Sequence, residues 1–557
     1  MMESTKRRAR FTARRLSRRD ALKAGAVAGL GVAAFALAGC RSDESEQATG
    51  DGATPSATDT PRYGGDQIMG LMADPGGLDV QQSVTGFWCS ALMNGYLHSV
   101  STSDRTLEPQ MADGVEVVDE TIYVWKLKQG IKFHNVDPAW GREVTAADVV
   151  FSMQRRRDDP TIMNDKQLLR DFTAHFEATD KYTFSLTTTR PYSPTLDEIG
   201  NPSYPIIPRE AIEKWGDLSQ HPVGCGAFVL DDYTKSERLK VVKNPEFYMP
   251  DRPFLDSTEW IIMTDDAALF QSFRTKRHDF CGAALDKLKV EELSGINHVV
   301  VRKAPNYWNR CLLLRVDRPP FDDERMRKAV DLAVDRQDLI DKAAFGEGFF
   351  SGPVSPSLEY WTLPQDEVRE FYKVDLAEAK RLVEAAGYGD GVEVDVPVMN
   401  VQNLTKDAAI VKEHLAKIGI TVNIQPKDIA TLLAQYLYAG NFQMLWFYNL
   451  PYVEPDRPIC QWFSKGIAGV SFTGYNNPAM DDWVWKERSE FDPQKRREIV
   501  LDAQRAMMRE HGPQINTYSP QSWIATWDWI RSLTPERGVG LTSRTFLGVD
   551  GWMTERS

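Results

Sequence analysis

The chain has 557 residues, 42% apolar and 26% charged, with a formal net charge of −13. That length holds several domain-sized units with a sizeable core, and the composition excludes wholesale disorder. The acidic balance excludes nucleic acid as a partner, because phosphate binding needs clustered cations.

The first 39 residues are a different material. Nine Lys and Arg (Lys6, Arg7, Arg8, Arg10, Arg14, Arg15, Arg18, Arg19, Lys23) stand against Glu3 and Asp20. Removing their net +7 from −13 leaves −20 for residues 40–557. An uncharged run from Ala24 to Ala38 follows. It is too short for a bilayer span of roughly 20 residues. Basic head, apolar middle and small-residue exit predict an export signal that is discarded. Ser17-Arg18-Arg19-Asp20-Ala21-Leu22-Lys23 resembles a twin-arginine motif with Ala21 in place of Phe. Leu37-Ala38-Gly39-Cys40 resembles a lipobox, implying cleavage before Cys40 and a lipid anchor on it. Residues 41–61 lack large apolar side chains and predict a flexible tether.

The stretch 107–154 predicts antiparallel strands over 115–118 and 122–127, where Ile122, Val124 and Leu127 punctuate the alternation. Lys128-Gln129-Gly130 then turns, and Thr145 with Asp148 caps a helix bearing Val149, Val150 and Met153. Further on, Gly224 and Gly226 enter a strand, 258–264 is another strand, and Asp265 or Asp266 caps a helix reaching about Arg277. After Pro319-Pro320-Phe321, one helix is predicted from Met326 to Ala343 by three-and-four spacing. Asp375 caps a short helix that Gly387 ends. Strand 392–399, helix 403–418 and strand 420–425 form a β-α-β unit with parallel strands, followed by helix 429–438 and strand 442–449.

The runs "LEPQMADG", "YVWKLKQGIKFHN", "VTAADVVFS", "PVGCGAF" and "PPFDDERMRKAVDLAVDR" resemble, in order, the signature of the peptide/nickel-type extracytoplasmic solute-binding proteins of ABC importers. The resemblance covers about residues 62–557. It implies a two-lobed α/β fold of the class II periplasmic-binding type with an extra β-rich domain. Lobe I is then 62–106, 220–308 and 521–557, the inserted domain 107–219, and lobe II 309–520. It also implies a monomer that carries a peptide-like or oligosaccharide-like solute to membrane permease subunits, anchored outside the cytoplasmic membrane.

No H-E-x-x-H, G-x-S-x-G or P-loop motif occurs, and the eight His are scattered, so no catalytic residue, cofactor or resident metal is expected. His134 reads as a packing residue. The alternatives are a receptor serving a membrane sensor, an exported hydrolase and a metal-chelate or haem carrier. Cys89, Cys225, Cys281, Cys311 and Cys460 lack C-x-x-C spacing, and one disulfide of unknown pairing is plausible in an oxidising compartment.

Rigid aromatic rings suit a cleft that encloses a ligand. The ligand-binding candidates are Trp88, Trp308, Tyr448 and Tyr452, with Asn449 and Arg315 as polar partners. In the family a "W-x-A-D-Y-x-D-P" run offers an Asp to a peptide's α-amino group. Here Pro451 holds that position, between Asn449 and Tyr452, and proline supplies neither charge nor N–H.

Overall fold

The computed structural model describes residues 60–556 other than 83–86, 102–104, 163–166, 283–284, 305, 307, 401, 450–453, 461–471 and 532–548. The side chains at 87, 88, 304, 402 and 430 are also outside the description. Arg18, Arg19, Cys40 and Tyr452 therefore lie outside the described residues, and Trp88 is placed by its backbone alone, in the short helix Phe87–Ser90.

After strand β1 (Asp66–Leu71), the chain leaves to build a four-stranded antiparallel sheet. It consists of β2 (Ala112–Asp119), β3 (Ile122–Leu127), β4 (Thr173–Asp180) and β5 (Thr183–Thr188), in the order β2-β3-β5-β4. The face of β3 that enters the core is Tyr123, Trp125 and Leu127, joined by Phe184 and Leu186 of β5. Ile122 and Val124 are half-buried, because a strand's period of two gives Leu127 the company of the odd-numbered rings. Helix α1 (Ala146–Asp158) has the expected capping box: Asp148 Oδ2 accepts from the Thr145 N–H at 2.9 Å.

The chain returns through β6 (Phe228–Thr234), β7 (Arg238–Lys243), β8 (Ser257–Ile262), β9 (Phe280–Cys281) and β10 (Val299–Ala304). Gly224 and Gly226, just before β6, press against the Met93 backbone, where an added Cβ would lie 2.2 and 2.4 Å from main-chain atoms. Only glycine fits there.

Further strands are β11 (Arg310–Leu314), β12 (Gly348–Phe350), β13 (Val392–Met399), β14 (Ile420–Lys427), β15 (Met444–Tyr448), β16 (Gln514–Asn516), β17 (Tyr518–Pro520) and β18 (Ser522–Trp527). One seven-stranded sheet runs β10-β18-β9-β1-β8-β7-β6 and one five-stranded sheet runs β14-β13-β15-β11-β16. In the second, β13 pairs parallel with β14 and β15, and β11 runs antiparallel to β15. Its helices include α2 (Glu324–Ala333), α3 (Arg336–Ala343), α4 (Gln402–Ala416), α5 (Asp456–Cys460), α6 (Pro478–Arg488) and α7 (Pro493–Glu510).

Three expectations are corrected. The single helix expected to reach Ala343 is two, α2 and α3, because Val334 is extended and Asp335 starts a new helix by accepting from the Asp338 N–H. The Arg336 guanidinium meanwhile donates to the carbonyls of Asp331 and Val334, which the broken helix leaves open. Residues 429–438 make one α-turn (Ile429–Thr431) and then a wider π-type turn (Leu432–Leu437), with Tyr438 N–H bonding Leu433 O. Cys89, Cys225, Cys281, Cys311 and Cys460 are all buried free thiols, so none of them forms a disulfide.

Candidate functional site

The two large sheets are joined by two chain passages. One runs from Ala304 of β10 to Arg310 of β11; the other runs from Asn516 of β16 through β17, which pairs with β12 in a small sheet, to Ser522 of β18. Ala304 pairs with Ser522, so the passages lie side by side. Asn306 O accepts from the hydroxyls of Ser355 (3.0 Å) and Ser519 (3.2 Å), and Arg310 O accepts from Thr517 N–H (3.0 Å) and Oγ1 (2.7 Å).

Beside these passages lies one rim of the five-stranded sheet, formed by the carboxyl ends of β13 and β15 and the start of β11. In open α/β sheets, ligands bind off the carboxyl ends of parallel strands. Register brings Arg310 opposite Tyr448 and Asn309 beside Asn449, whose N–H donates to Asn309 O at 2.9 Å. Trp308 meets Tyr448 edge to face, with ring centroids 4.6 Å apart. The Tyr448 hydroxyl is 3.9 Å from Met399 Sδ, and burial raises its pKa while the nearby Arg310 opposes that rise. Asn449 is buried; its Nδ2 donates to Pro353 O at 3.3 Å, and Cys311 Sγ lies 3.8 Å from its Oδ1.

Trp308, Tyr448 and Asn449 are thus brought together. Arg315 is not with them. It follows the far end of β11, roughly 17 Å from Arg310 at ~3.3 Å per residue. There its guanidinium makes two 2.7 Å hydrogen bonds to Asp317 and one of 2.7 Å to Phe472 O. A carboxylate of the chain itself occupies the fork that a ligand anion would need.

The arginine at the rim is Arg310. Its Nε lies 3.4 Å from Asp407 Oδ2 on α4, and the Tyr518 hydroxyl donates to Asp407 Oδ1 at 2.9 Å. Burial pushes the Asp407 carboxyl up to about 6, against the pull of Arg310 and Tyr518. Next to it, Asn309 is fully buried with neither Oδ1 nor Nδ2 bonded. Asn309, Arg310, Asp407 and Tyr518 escape a sequence reading. Their one local signal is the polar pair Asn309-Arg310 opening an otherwise apolar strand.

The four-stranded sheet's domain meets α5, α6 and α7 at a second junction. Ser193 N–H and Oγ bond Arg488 O (2.7 Å) and Glu487 O (3.0 Å), and the Tyr192 hydroxyl donates to Asp456 Oδ2 at 3.1 Å. The Arg488 guanidinium lies over the rings of Phe172, Tyr192 and Trp485.

His134 is buried against the backbone of Gly224 and Gly226, and burial pulls its pKa down to about 4. Among the described residues, no group of three or more His, Cys, Asp or Glu is arranged to hold a metal, and no helix is long and apolar enough to cross a membrane.

Residues 106–470 match the family model described as bacterial extracellular solute-binding proteins, family 5 middle. The chain belongs to that family. This family 5 protein is 26% identical over 428 residues to the glutathione-binding protein GsiB of Salmonella typhimurium (strain LT2), covering 73% of this chain and 80% of the relative. GsiB of Escherichia coli O157:H7 is 26% identical over 433 residues, with the same coverage. Its fold is similar to the periplasmic binding protein DppA of Helicobacter pylori in complex with peptide STSA. The TM-score there is 0.77 at 22% identity, covering 89% of this chain and 99% of DppA. It is also similar to AgaA of A. tumefaciens R10 in complex with agropinic acid, with TM-score 0.76 at 21% identity, covering 88% and 99%. The family 5 chain is therefore a solute-binding protein with the class II periplasmic-binding fold.

Proposed function

We propose that this family 5 protein is the lipid-anchored receptor of an ABC importer, and that it encloses a peptide-like solute between two lobes. The lobes are 62–106 with 220–308 and 521–557, and 309–520; the inserted domain is 107–219. Export through the Arg18-Arg19 motif and acylation of Cys40 place it outside the membrane as a monomer, where the closed form docks on permease subunits.

The observation that carries the reading is the rim beside the two passages: Trp308 and Tyr448 with the amides of Asn309 and Asn449. An unbonded buried amide costs about 1–3 kcal/mol, and a solute bearing amide groups supplies both its missing donor and its missing acceptor. Glutathione and STSA, named for two relatives, are peptides. Among the described residues the Arg310–Asp407 pairing leaves the rim without a free charge for an α-amino group, and Pro451 stands in the sequence at the family's Asp position, so the solute is held through its neutral parts.

Native mass spectrometry of residues 62–557 as purified, followed by thermal shifts with glutathione, dipeptides to pentapeptides and small oligosaccharides, tests this. Peptide-type adducts or stabilisation are expected, weakened at least ten-fold in Asn309→Leu without loss of unliganded stability. Hexose increments, or stabilisation by oligosaccharides alone, would overturn the solute class.

A further inference from the structure

We infer that the junction between the inserted domain and α5–α7 is a proton-binding site: docking of the two surfaces takes up one proton, which is released when they part. Its link to solute capture rests on the closure proposed above; the site itself does not.

The argument is one of charge balance in a place without water. Asp456, Glu454, Glu487, Arg488 and Arg496 are all buried. Arg488 holds Asp456 through Nε (2.5 Å) and Nη2 (3.0 Å). Arg496 donates to Glu454 and, at 2.7 Å and 3.0 Å, to Glu487 Oε2. The surrounding pairs repeat the pattern: Arg105 with Asp197, and Arg457 with Glu198 at 3.7 Å. Among the described residues the inner set has three carboxyls to two arginines, and the full set five to four, so either boundary leaves one negative charge in excess. Arg190 lies over the outer face of Trp485 but is exposed, and Arg170 is engaged by Asp171, so neither offsets the excess. Among the described residues Tyr192 and Cys460 also face the cluster, and burial raises the pKa of each.

The place of the proton is also visible. Glu487 Oε2 is bonded to Arg496, but its Oε1 has no donor; Arg488 Nε is 4.0 Å away and bonded elsewhere. The same Arg488 Nε that stands 4.0 Å from Glu487 Oε1 is bonded to Asp456 Oδ1 at 2.5 Å, so the Asp456 carboxylate is the neighbour of Glu487. A buried carboxylate oxygen that lacks a donor next to a second carboxylate is completed by a proton carried on Glu487. Burial, followed by Arg496 pulling the other way and the neighbouring Asp456 and Glu454 charges, leaves the Glu487 pKa well above the usual carboxylate range. Burial opposes ionisation of Asp456 too, yet Arg488 holds it down to about 2.

Docking then proceeds by one proton from solvent forming an O–H bond on Glu487. Parting re-solvates Glu487, whose pKa returns toward 4.5, and the proton leaves. Raised in the docked form, the group favours docking fully below about 4.5, and the advantage is lost as pH rises toward its docked value.

Ser193 N–H crosses the junction to Arg488 O, so its exchange with solvent reports docking directly. Hydrogen exchange of the segment around Ser193 is measured in the full chain at pH 5.5 and 7.5, corrected for intrinsic rates, with the β3 amides as the folding control. In the wild type, protection falls by up to about a hundred-fold across those two pH units. Glu487→Gln, neutral at every pH, is expected to keep protection and lose most of its pH dependence, the remainder coming from Glu454, which burial raises to about 7. Tyr192→Phe, which removes a donor to Asp456 without removing the proton, keeps the slope at lower protection. A pH-independent wild type, or equal slopes in wild type and Glu487→Gln, overturns the proposal. Because no solute is present, a pH slope that no peptide or glutathione perturbs would sink the capture link and leave the proton site standing.

Discussion

Arg310 and Asp407 have a testable electrostatic bond. At pH 8, Arg310→Ala leaves an ionised Asp407 buried without its partner, a loss of about 3–5 kcal/mol. Asp407 has a folded-state pKa raised to about 6 from 3.8, so its contribution to stability is fully present below about 4 and is lost as pH rises through 6. The melting-temperature gap between wild type and Arg310→Ala should therefore shrink from pH 8 to pH 5; a constant gap in calorimetry would refute the assignment. Trp308 and Tyr448 were legible in the sequence as rings clustered with Pro or Gly away from helical periodicity, with Asn449 beside them, and the structure brings the three together at the end of β15, with Tyr448 in the core of the five-stranded sheet. Arg315 was assigned by motif position alone, and a motif position does not say which end of β11 meets the cleft. Arg310 and Asp407 were illegible because no local pattern couples residues on different elements.

At the level of elements, spacing served where one force acts alone. β3, α1 with its cap, and the parallel β13–β14 pair stand where alternation, capping and the β-α-β rule put them. It failed between α2 and α3, where apolar spacing continues unbroken from Met326 to Ala343. There Asp335 offers the backbone a better partner than the next helical carbonyl, and Arg336 secures the carbonyls thus exposed. Asp335→Ala should then cost about 1 kcal/mol in urea denaturation, with an unchanged dependence on urea. A loss below a few tenths would mean that the break is set by Arg336 instead.

For the whole molecule, the two-lobed plan followed from the order of motifs, whereas the ionic junction at α5–α7 did not. Its charges come from five separate segments, and each looks like ordinary surface charge in the sequence. The buried thiols bear on the entire fold. Burial raises the pKa of Cys281 to about 12 and holds the thiols of Cys89, Cys225, Cys311 and Cys460 still higher. Residues 62–557 should consequently show no reaction with a thiol reagent when native, and five equivalents on unfolding. The melting temperature should be indifferent to reductant, and a shift on adding one would show that a cystine forms after all.

Those same five side chains bear on where the molecule can mature. A structure that contains no sulfur–sulfur bond among its described cysteines needs no electron acceptor to be finished. Its native state is equally attainable in a glutathione-rich cytosol and in an oxidising envelope. Timing of folding relative to passage across the membrane is thereby released from redox control.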